Sequence, residues 1–513
     1  MQQLSLLSGA DPAHPLDALF VNAPLRDYSR RPRTNDYTLP VLGMAYIATY
    51  AQQAGFNVGV LDAEAHGLGI VETAEHVNAA RPRWAAMNLL APTYEMSARI
   101  AERLDPGIAL MVGGHHAKAM PDRVLDDPRM ANLRALVLGE GELRVAALLE
   151  DEQRRRELPG VLWRDRLLGT RAAGVPSGRP NPQMLGPDIN ALPYVNRAFL
   201  PQDPYRAAPT ETDRRLAADR STGRLKTAAR AGHLEANIVG SRGCPYNCTF
   251  CGAAVTANPD VTIRVRTPEN IIGELDQLHD AYGVTAFRFV DDLFLGVGRV
   301  IDEQMEAFTR HRIGERYVWD ATGRINVLDR LDDRALDRLV RNGLREVALG
   351  IESGSDRVLR AMDKRIDAAM TERVTRRLVE HGIGVKGYFI LGFPGESHDD
   401  IAATVHHIRT LWAIADRNPG DVRASVFEFR PYPGTPVWTT LTGAGHDPEK
   451  LLAYADVDLT GDGAEESMRQ RDEFNFSVGI QFSDVPLATV RSTLATLTRE
   501  QYERGRAGQG AAA

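Results

Sequence analysis

The sequence predicts an α/β protein: two parallel-sheet domains in series, then a small, mainly helical C-terminal region. Three observations predict it. Short apolar runs alternate with segments of helical length over residues 18–150, which is the pattern of a doubly wound parallel sheet. The same alternation returns over residues 237–440 as six strand–helix units, enough for a partial (β/α)6 barrel and too few for an eight-fold one. Between the first and second strands of that second series lie Cys244, Cys248 and Cys251, the only three cysteines among 513 residues.

The first series opens with the buried run Ala18-Leu19-Phe20-Val21-Asn22, which stops at Ala23-Pro24. A helix over 42–54 ends at Gly55, and 57–62 is the second strand. A helix over 70–80, a strand over 84–89 and a helix over 96–104 follow. The strand over 108–112 runs into Gly113-Gly114-His115-His116, and Leu136-Val137-Leu138 runs into Gly139-Glu140-Gly141-Glu142. Ligands of such sheets lie beyond the carboxyl ends of the strands. Glycine there lets a bound group approach the backbone.

Residues 151–236 read as a connecting segment. A short hairpin is expected at Gly160-Val161-Leu162-Trp163-Arg164, and 172–192 carries the Pro and Gly of a linker. The Arg-, Ala- and Asp-rich stretch 210–233 is either a solvated connector or a lid over the active site.

The second series starts with the strand Ala236-Asn237-Ile238-Val239-Gly240, which leads straight into the cysteines. Further strands are expected over 286–292, 317–324, 346–354, 385–392 and 425–429, separated by helices over 269–282, 300–310, 332–342, 368–381 and 401–414. Polar residues at strand C-terminal ends face the active site in barrels of this kind. Asp291-Asp292, Arg324, Glu352-Ser353 and Gly392-Phe393-Pro394-Gly395-Glu396 occupy those ends. The two aspartates could also be a surface turn, although Val290 and Leu293-Phe294 flank them. A carboxylate beside a hydroxyl suits an amine or a ribose hydroxyl, Arg324 could pair with a carboxylate, and the glycines at 392 and 395 would let a flat ring lie on the backbone.

Residues 441–513 should cap the barrel mouth, with a helix over 487–502 and a disordered Gly/Ala-rich tail over 505–513. Tyr432, Trp438 and Tyr454 are either core residues or substrate contacts.

The spacing C-x3-C-x2-C within Gly243-Cys244-Pro245-Tyr246-Asn247-Cys248-Thr249-Phe250-Cys251-Gly252 suits an iron–sulfur cluster. A [4Fe–4S] cluster normally takes four thiolates, so three leave one iron open to a substrate or cofactor. A structural zinc site would need a fourth ligand, and no nearby His supplies one. A disulfide would strand an odd thiol.

The bulk numbers narrow the function classes. A net charge of −7 offers no basic excess for a nucleic-acid partner. Lysine occurs only at Lys118, Lys226, Lys364, Lys386 and Lys450, so arginine carries nearly all the positive charge. No apolar run reaches membrane-spanning length, and the first 15 residues lack the features of a signal peptide. Three clustered cysteines and no others point to a reducing cytoplasm.

The cysteine stretch, Phe250 included, resembles the signature of the radical S-adenosylmethionine (SAM) enzymes. That resemblance implies a [4Fe–4S] cluster on Cys244, Cys248 and Cys251, whose open iron chelates the amino and carboxylate groups of SAM. Reductive cleavage would then give a 5′-deoxyadenosyl radical. Phe289-Val290-Asp291-Asp292-Leu293-Phe294 resembles the family's second-strand motif near the methionine moiety. Gly350-Ile351-Glu352-Ser353-Gly354-Ser355, continuing to Met362-Asp363-Lys364, resembles its ribose and methionine motif. Gly392-Phe393-Pro394-Gly395-Glu396 resembles its adenine-side turn, and Pro431-Tyr432-Pro433-Gly434-Thr435-Pro436 its barrel exit. The usual Gly-Gly-Glu after the second strand is absent.

Ahead of this signature, the Rossmann-like first domain resembles the cobalamin-binding domain of the cobalamin-dependent branch. Leu39-Pro40-Val41-Leu42-Gly43 resembles its helix entry. Gly113, Gly114 and His115, with Gly139, Glu140 and Gly141, match the turns that cradle the corrin and its nucleotide tail. One departure concerns the cobalt. The family motif D-x-H-x-x-G reads here Asp62-Ala63-Glu64-Ala65-His66-Gly67, so no His ligand below cobalt is expected. The lower face should be open, or filled from the loops near 22–26 or 90–94. His66, His115 and His116 are then either ligands of another kind or plain loop histidines.

The resemblance implies a methyltransferase acting on an unactivated carbon of a small, natural-product-like molecule. It also implies an electron donor such as flavodoxin or ferredoxin. Cyclisation or rearrangement on the same scaffold, and a non-catalytic cobalamin sensor, are the alternatives. A tRNA methylthiotransferase is disfavoured by the lack of a second cysteine cluster.

Overall fold

In the computed structural model the described residues are 6–30, 40–150, 158–164, 186–201, 234–254, 263–456 and 476–510. Two compact units result, the first from Met1–Ala207, Ala254–Thr262 and Tyr432–Leu452, the second from Ala208–Ala253, Ile263–Pro431 and Ala453–Ala513. The stretch 210–233, weighed as connector or lid, lies outside the described residues, as does most of the linker at 172–192.

The first unit is a six-stranded sheet: β1 Ala18–Asn22, β2 Val58–Asp62, β3 Trp84–Asn88, β4 Ala109–Gly113, β5 Leu133–Val137 and β6 Val161–Trp163, in spatial order β2-β1-β3-β4-β5-β6. The first five strands run parallel, with helices between consecutive ones, and β6 is antiparallel to β5. The hairpin expected at 160–164 is not seen: β6 pairs with β5, from which the helix Glu142–Glu150 separates it, and the residues just after Arg164 lie outside the described residues. The strands are short and almost wholly apolar because both faces are covered; Leu19, Val21, Leu61, Ala85 and Leu110 are fully buried. The order reverses between β1 and β3, so the loops leaving those two strands flank the topological switch point, where doubly wound sheets bind ligands.

The second unit is a six-stranded, all-parallel sheet. Its strands, Glu235–Ile238, Ala286–Phe289, Val318–Gly323, Leu344–Glu352, Gly384–Leu391 and Val422–Glu428, lie side by side in sequence order. This is the expected partial barrel. Helices Pro268–Tyr282, Gly298–Arg310, Asp333–Arg341, Ala368–Glu380 and His398–Ala415 cover its outer face. Their starts are legible in the sequence: Thr267, Asp332, Asp367 and Ser397 each cap a helix through a side-chain oxygen. Phe287, Phe289, Phe308, Tyr317 and Trp319 form the aromatic heart of this core.

The C-terminal helix departs from expectation twice. It runs over Leu487–Gly510, so most of the tail expected to be disordered is helical, continuing the strong helix formers at 499–504. Its body also closes the open edge of the barrel rather than only capping the mouth. Gln501 Oε1 accepts from the edge-strand Ala424 N–H at 2.9 Å and from Trp412 Nε1 at 3.1 Å. Arg409 pairs with Glu500 on the same face. An unpaired strand edge is a liability, and this helix covers it. Among the described residues no helix is long and apolar enough to cross a membrane.

Candidate functional site

The cysteine loop leaves the first barrel strand and is anchored at its base from three directions. The Asp291 carboxylate accepts from Gly240 N–H and from Ser241 Oγ, both at 2.8 Å. The Arg266 N–H donates to Gly240 O and its guanidinium to Val239 O, each at 2.8 Å. Ser241–Arg242 pairs antiparallel with Arg264–Val265, which brackets the loop. Arg266 is held in turn by Glu274, with both side chains buried. Asp291 was expected near the methionine moiety; its carboxylate is turned onto the loop base, and burial pushes it up to about 7. Asp292, beside it, is exposed and lies close enough to Cys244 to raise that thiol further.

Within the loop, Thr249 N–H donates to Met362 O at 3.0 Å and Cys251 N–H to Cys248 O at 3.1 Å. Cys248 is buried, and Cys244 and Cys251 are partly exposed. Burial pushes the Cys244 thiol up and the Cys251 thiol up to about 11. A bound cation would offset that penalty and favour the thiolates that ligate iron. No three His, Cys, Asp or Glu side chains among the described residues converge on a single ion. Three thiols spread along one loop suit a cluster, where each iron takes its own thiolate.

Two cations grip this loop. The Arg324 guanidinium lies 3.7 Å from the centroid of the Tyr246 ring; its Nη1 donates to Cys248 Sγ at 3.4 Å and its Nη2 to Lys364 O. Lys364 Nζ donates to Glu352 Oε1 at 2.6 Å and lies 5.8 Å from the Phe250 centroid. Arg324, expected toward the methionine carboxylate, thus has both terminal nitrogens on the protein. Lys364 was flagged from the sequence only as the end of the stretch resembling the ribose and methionine motif, and Tyr246 only as part of the cysteine loop; neither was given a role of its own.

Ser353 is fully buried, and its hydroxyl is engaged locally, 3.0 Å from Thr404 Oγ1 and accepting from Ser355 N–H. Gly392 has φ +85° and donates to Glu396 Oε2 at 2.6 Å; Phe393 N–H joins it at 3.3 Å. Glu396 thereby shapes the turn carrying Pro394. Its other oxygen, Oε1, is buried with no hydrogen-bond partner among the described residues, and burial pushes the carboxyl up to about 7.

In the first unit the glycine turns sit at the carboxyl ends of the adjacent strands β4 and β5. Gly114 has φ +94°, and a Cβ there would lie 2.0 Å from Asn88 Oδ1, so only glycine fits. His115 is exposed. Glu140 Oε2 accepts from Gly186 N–H at 2.8 Å, between Gly139 and Gly141. His116 is buried against Tyr94, with ring centroids 4.5 Å apart, and burial pulls its imidazole down to about 4. At the third position of the altered D-x-H-x-x-G stretch stands Glu64. It accepts from Leu25 N–H and from Tyr28 Oη, both at 2.7 Å, tying down the loop after β1. Asp62 accepts from Asn22 and caps the short helix Ala63–His66.

Two family models match the chain. Residues 238–408 match the radical SAM superfamily and residues 33–149 match the B12 binding domain. Among curated relatives, the chain is 27% identical over 408 residues to an uncharacterized methyltransferase of Pyrococcus horikoshii, covering 78% of each. It is 25% identical over 457 residues to the cytidylyl-2-hydroxyethylphosphonate methyltransferase of Streptomyces wedmorensis, covering 80% of this chain and 79% of that one. It is 23% identical over 419 residues to the anaerobic magnesium-protoporphyrin IX monomethyl ester cyclase of Rubrivivax gelatinosus, covering 77% and 68%. Among solved structures, the radical SAM methyltransferase TsrM from Kitasatospora setae, with tryptophan substrate and a SAM analogue bound, matches with a TM-score of 0.63 at 16% identity, covering 94% of this chain and 88% of that one. A radical SAM domain takes a [4Fe–4S] cluster and SAM, and a B12 binding domain takes cobalamin. The chain carries a radical SAM domain over residues 238–408 and, ahead of it, a B12-binding domain over residues 33–149.

Proposed function

We propose that the protein is a cobalamin-dependent radical SAM methyltransferase that methylates an unactivated carbon of a small molecule. The observation that carries this reading is the presence on one chain of a three-cysteine loop at the head of a radical SAM barrel and a B12-binding domain with its glycine turns. Two relatives named as methyltransferases, each matched over more than three quarters of its length, support it.

When bound, the cluster with SAM supplies a carbon-centred radical and the cobalamin carries the methyl group. The chain's own residues then have these tasks. Cys244, Cys248 and Cys251 hold the cluster. Asp291, Arg266 and Thr249 fix the loop that carries it. Gly392 and Pro394, shaped by Glu396, offer a backbone surface for the adenine. Glu352, paired with Lys364, and Asp292 lie at strand ends where the ribose and methionine groups would be bound. Gly113, Gly114, His115, Gly139, Glu140 and Gly141 form the cobalamin cradle. Glu64 stands where the family motif has its histidine and is bonded to the loop after β1, so this position would supply no imidazole to a bound cobalamin. A flavodoxin or ferredoxin would supply the electron.

The test is anaerobic turnover with methyl-deuterated SAM, cobalamin, reductant and an extract of the source organism, read by mass spectrometry. Deoxyadenosine together with S-adenosylhomocysteine and a methyl-labelled metabolite is the expected result. Deoxyadenosine without S-adenosylhomocysteine or any labelled metabolite would overturn methyl transfer. It would favour cyclisation, the reading supported by the likeness to the cyclase.

A further inference from the structure

We propose that Arg324 sets the reduction potential of the cluster by donating a charged hydrogen bond to Cys248, and is not a clamp for the carboxylate of SAM. The inference rests on the three thiolates holding the cluster. Four observations carry it. Nη1 donates to Cys248 Sγ at 3.4 Å, a normal length for a sulfur acceptor. Nη2 is occupied by the Lys364 carbonyl, and the flat face by the Tyr246 ring. Of the three guanidinium nitrogens only Nε has no hydrogen-bond partner among the described residues, so a bidentate carboxylate, which needs two, would have to displace one of these contacts. The side chain is 7% exposed, so its hydrogen bonds are shielded from water.

The charge balance gives the direction. Arginine stays protonated in proteins. The other cations near the loop are matched: Lys364 by Glu352 at 2.6 Å, and Arg365, which also acts on Cys248, by Asp363 at 3.2 Å. Among the described residues no carboxylate is ion-paired with Arg324, and the nearby Asp292 acts on Cys244, so the charge of Arg324 is directed at the Cys248 sulfur. When an external one-electron donor reduces the cluster, the cluster gains one negative charge. A cation and donor at a ligating sulfur stabilise that state more than the oxidised one, which raises the potential. The Tyr246 ring and the Lys364 carbonyl make Arg324 a positioning residue as well, because they hold the guanidinium at this sulfur.

The experiment is a redox titration of the reconstituted full-length protein, followed by the electron paramagnetic resonance of the reduced cluster, in the absence of SAM. Arg324→Gln should make the one-electron equilibrium at least tenfold less favourable for reduction, about 59 mV more negative. Arg324→Lys, which keeps the charge without the planar fork, should shift it less. The change in the spectrum on adding SAM should persist in both variants at wild-type SAM concentrations. A wild-type potential in fully loaded Arg324→Gln overturns the proposal. A wild-type potential with lost SAM response would establish the carboxylate clamp instead. If Arg324→Gln does not load iron, the lysine variant is read alone. Failure of both to load would assign Arg324 to cluster assembly and overturn the tuning role. Absence of iron in the wild type would sink the cluster assignment itself, a separate outcome.

Discussion

Lys364 Nζ donates to Glu352 Oε1 at 2.6 Å, with both side chains about nine-tenths buried, and Glu352 holds this pose at a left-handed φ of +67°. Breaking a buried pair leaves an uncompensated charge, which costs about 3–5 kcal/mol. Lys364→Met should therefore destabilise the barrel by that order in urea unfolding. Adding Glu352→Gln should restore part of the loss. A single variant as stable as wild type would show that the pair contributes nothing.

Replacing any one of Cys244, Cys248 or Cys251 by Ala should lower bound iron and abolish deoxyadenosine formation. Retained deoxyadenosine in Cys244→Ala would refute the cluster site. Circular dichroism should show the fold intact, because none of the three thiols is bonded to another cysteine.

Glu396 gives the barrel a pH dependence. Burial raises its carboxyl from 4.5 to about 7, so the fold favours the neutral form. Its contribution is fully present below the unfolded value and is lost as pH rises through about 7, amounting to about 3 kcal/mol. Glu396→Gln keeps an oxygen for the Gly392 and Phe393 N–H groups and cannot ionise. The variant should gain on the wild type between pH 5 and pH 8, by about that amount, in denaturation series. Parallel pH profiles would contradict this.

At the cobalamin cradle, Gly114→Ala places a Cβ 2.0 Å from Asn88 Oδ1 and 2.9 Å from Leu89 O at a φ of +94°. At φ +94° and ψ 178° the backbone lies in a region essentially confined to glycine, which costs an L-residue about 1–3 kcal/mol. Thermal stability and cobalamin retention on gel filtration should both fall. Gly43→Ala is the matched control: it lies within the helix Leu42–Gln53 with nothing inside 4 Å of the new Cβ. That change should stabilise by about 0.5–1 kcal/mol. Equal effects of the two substitutions would refute the steric argument.

The sequence by itself determined the elements and their order. Apolar runs at 18–22 and 109–113 are strands because a sheet covered on both faces demands uninterrupted apolar residues, and caps such as Ser397 mark helix starts locally. The three cysteines and the glycine turns were legible for the same reason, since their chemistry depends on spacing within a few residues. Tertiary structure alone decided the long-range polar partners. Asp291 turns to Gly240 and Ser241, about 50 positions earlier, Arg324 to Cys248, 76 positions earlier, and Gln501 to Ala424, 77 positions earlier. It also decided that Tyr432–Leu452 joins the first unit and that the last helix covers the barrel edge. Such pairings leave no periodic trace. They are selected when the chain closes, because a buried carboxylate, guanidinium or strand edge must find a partner wherever the fold brings one.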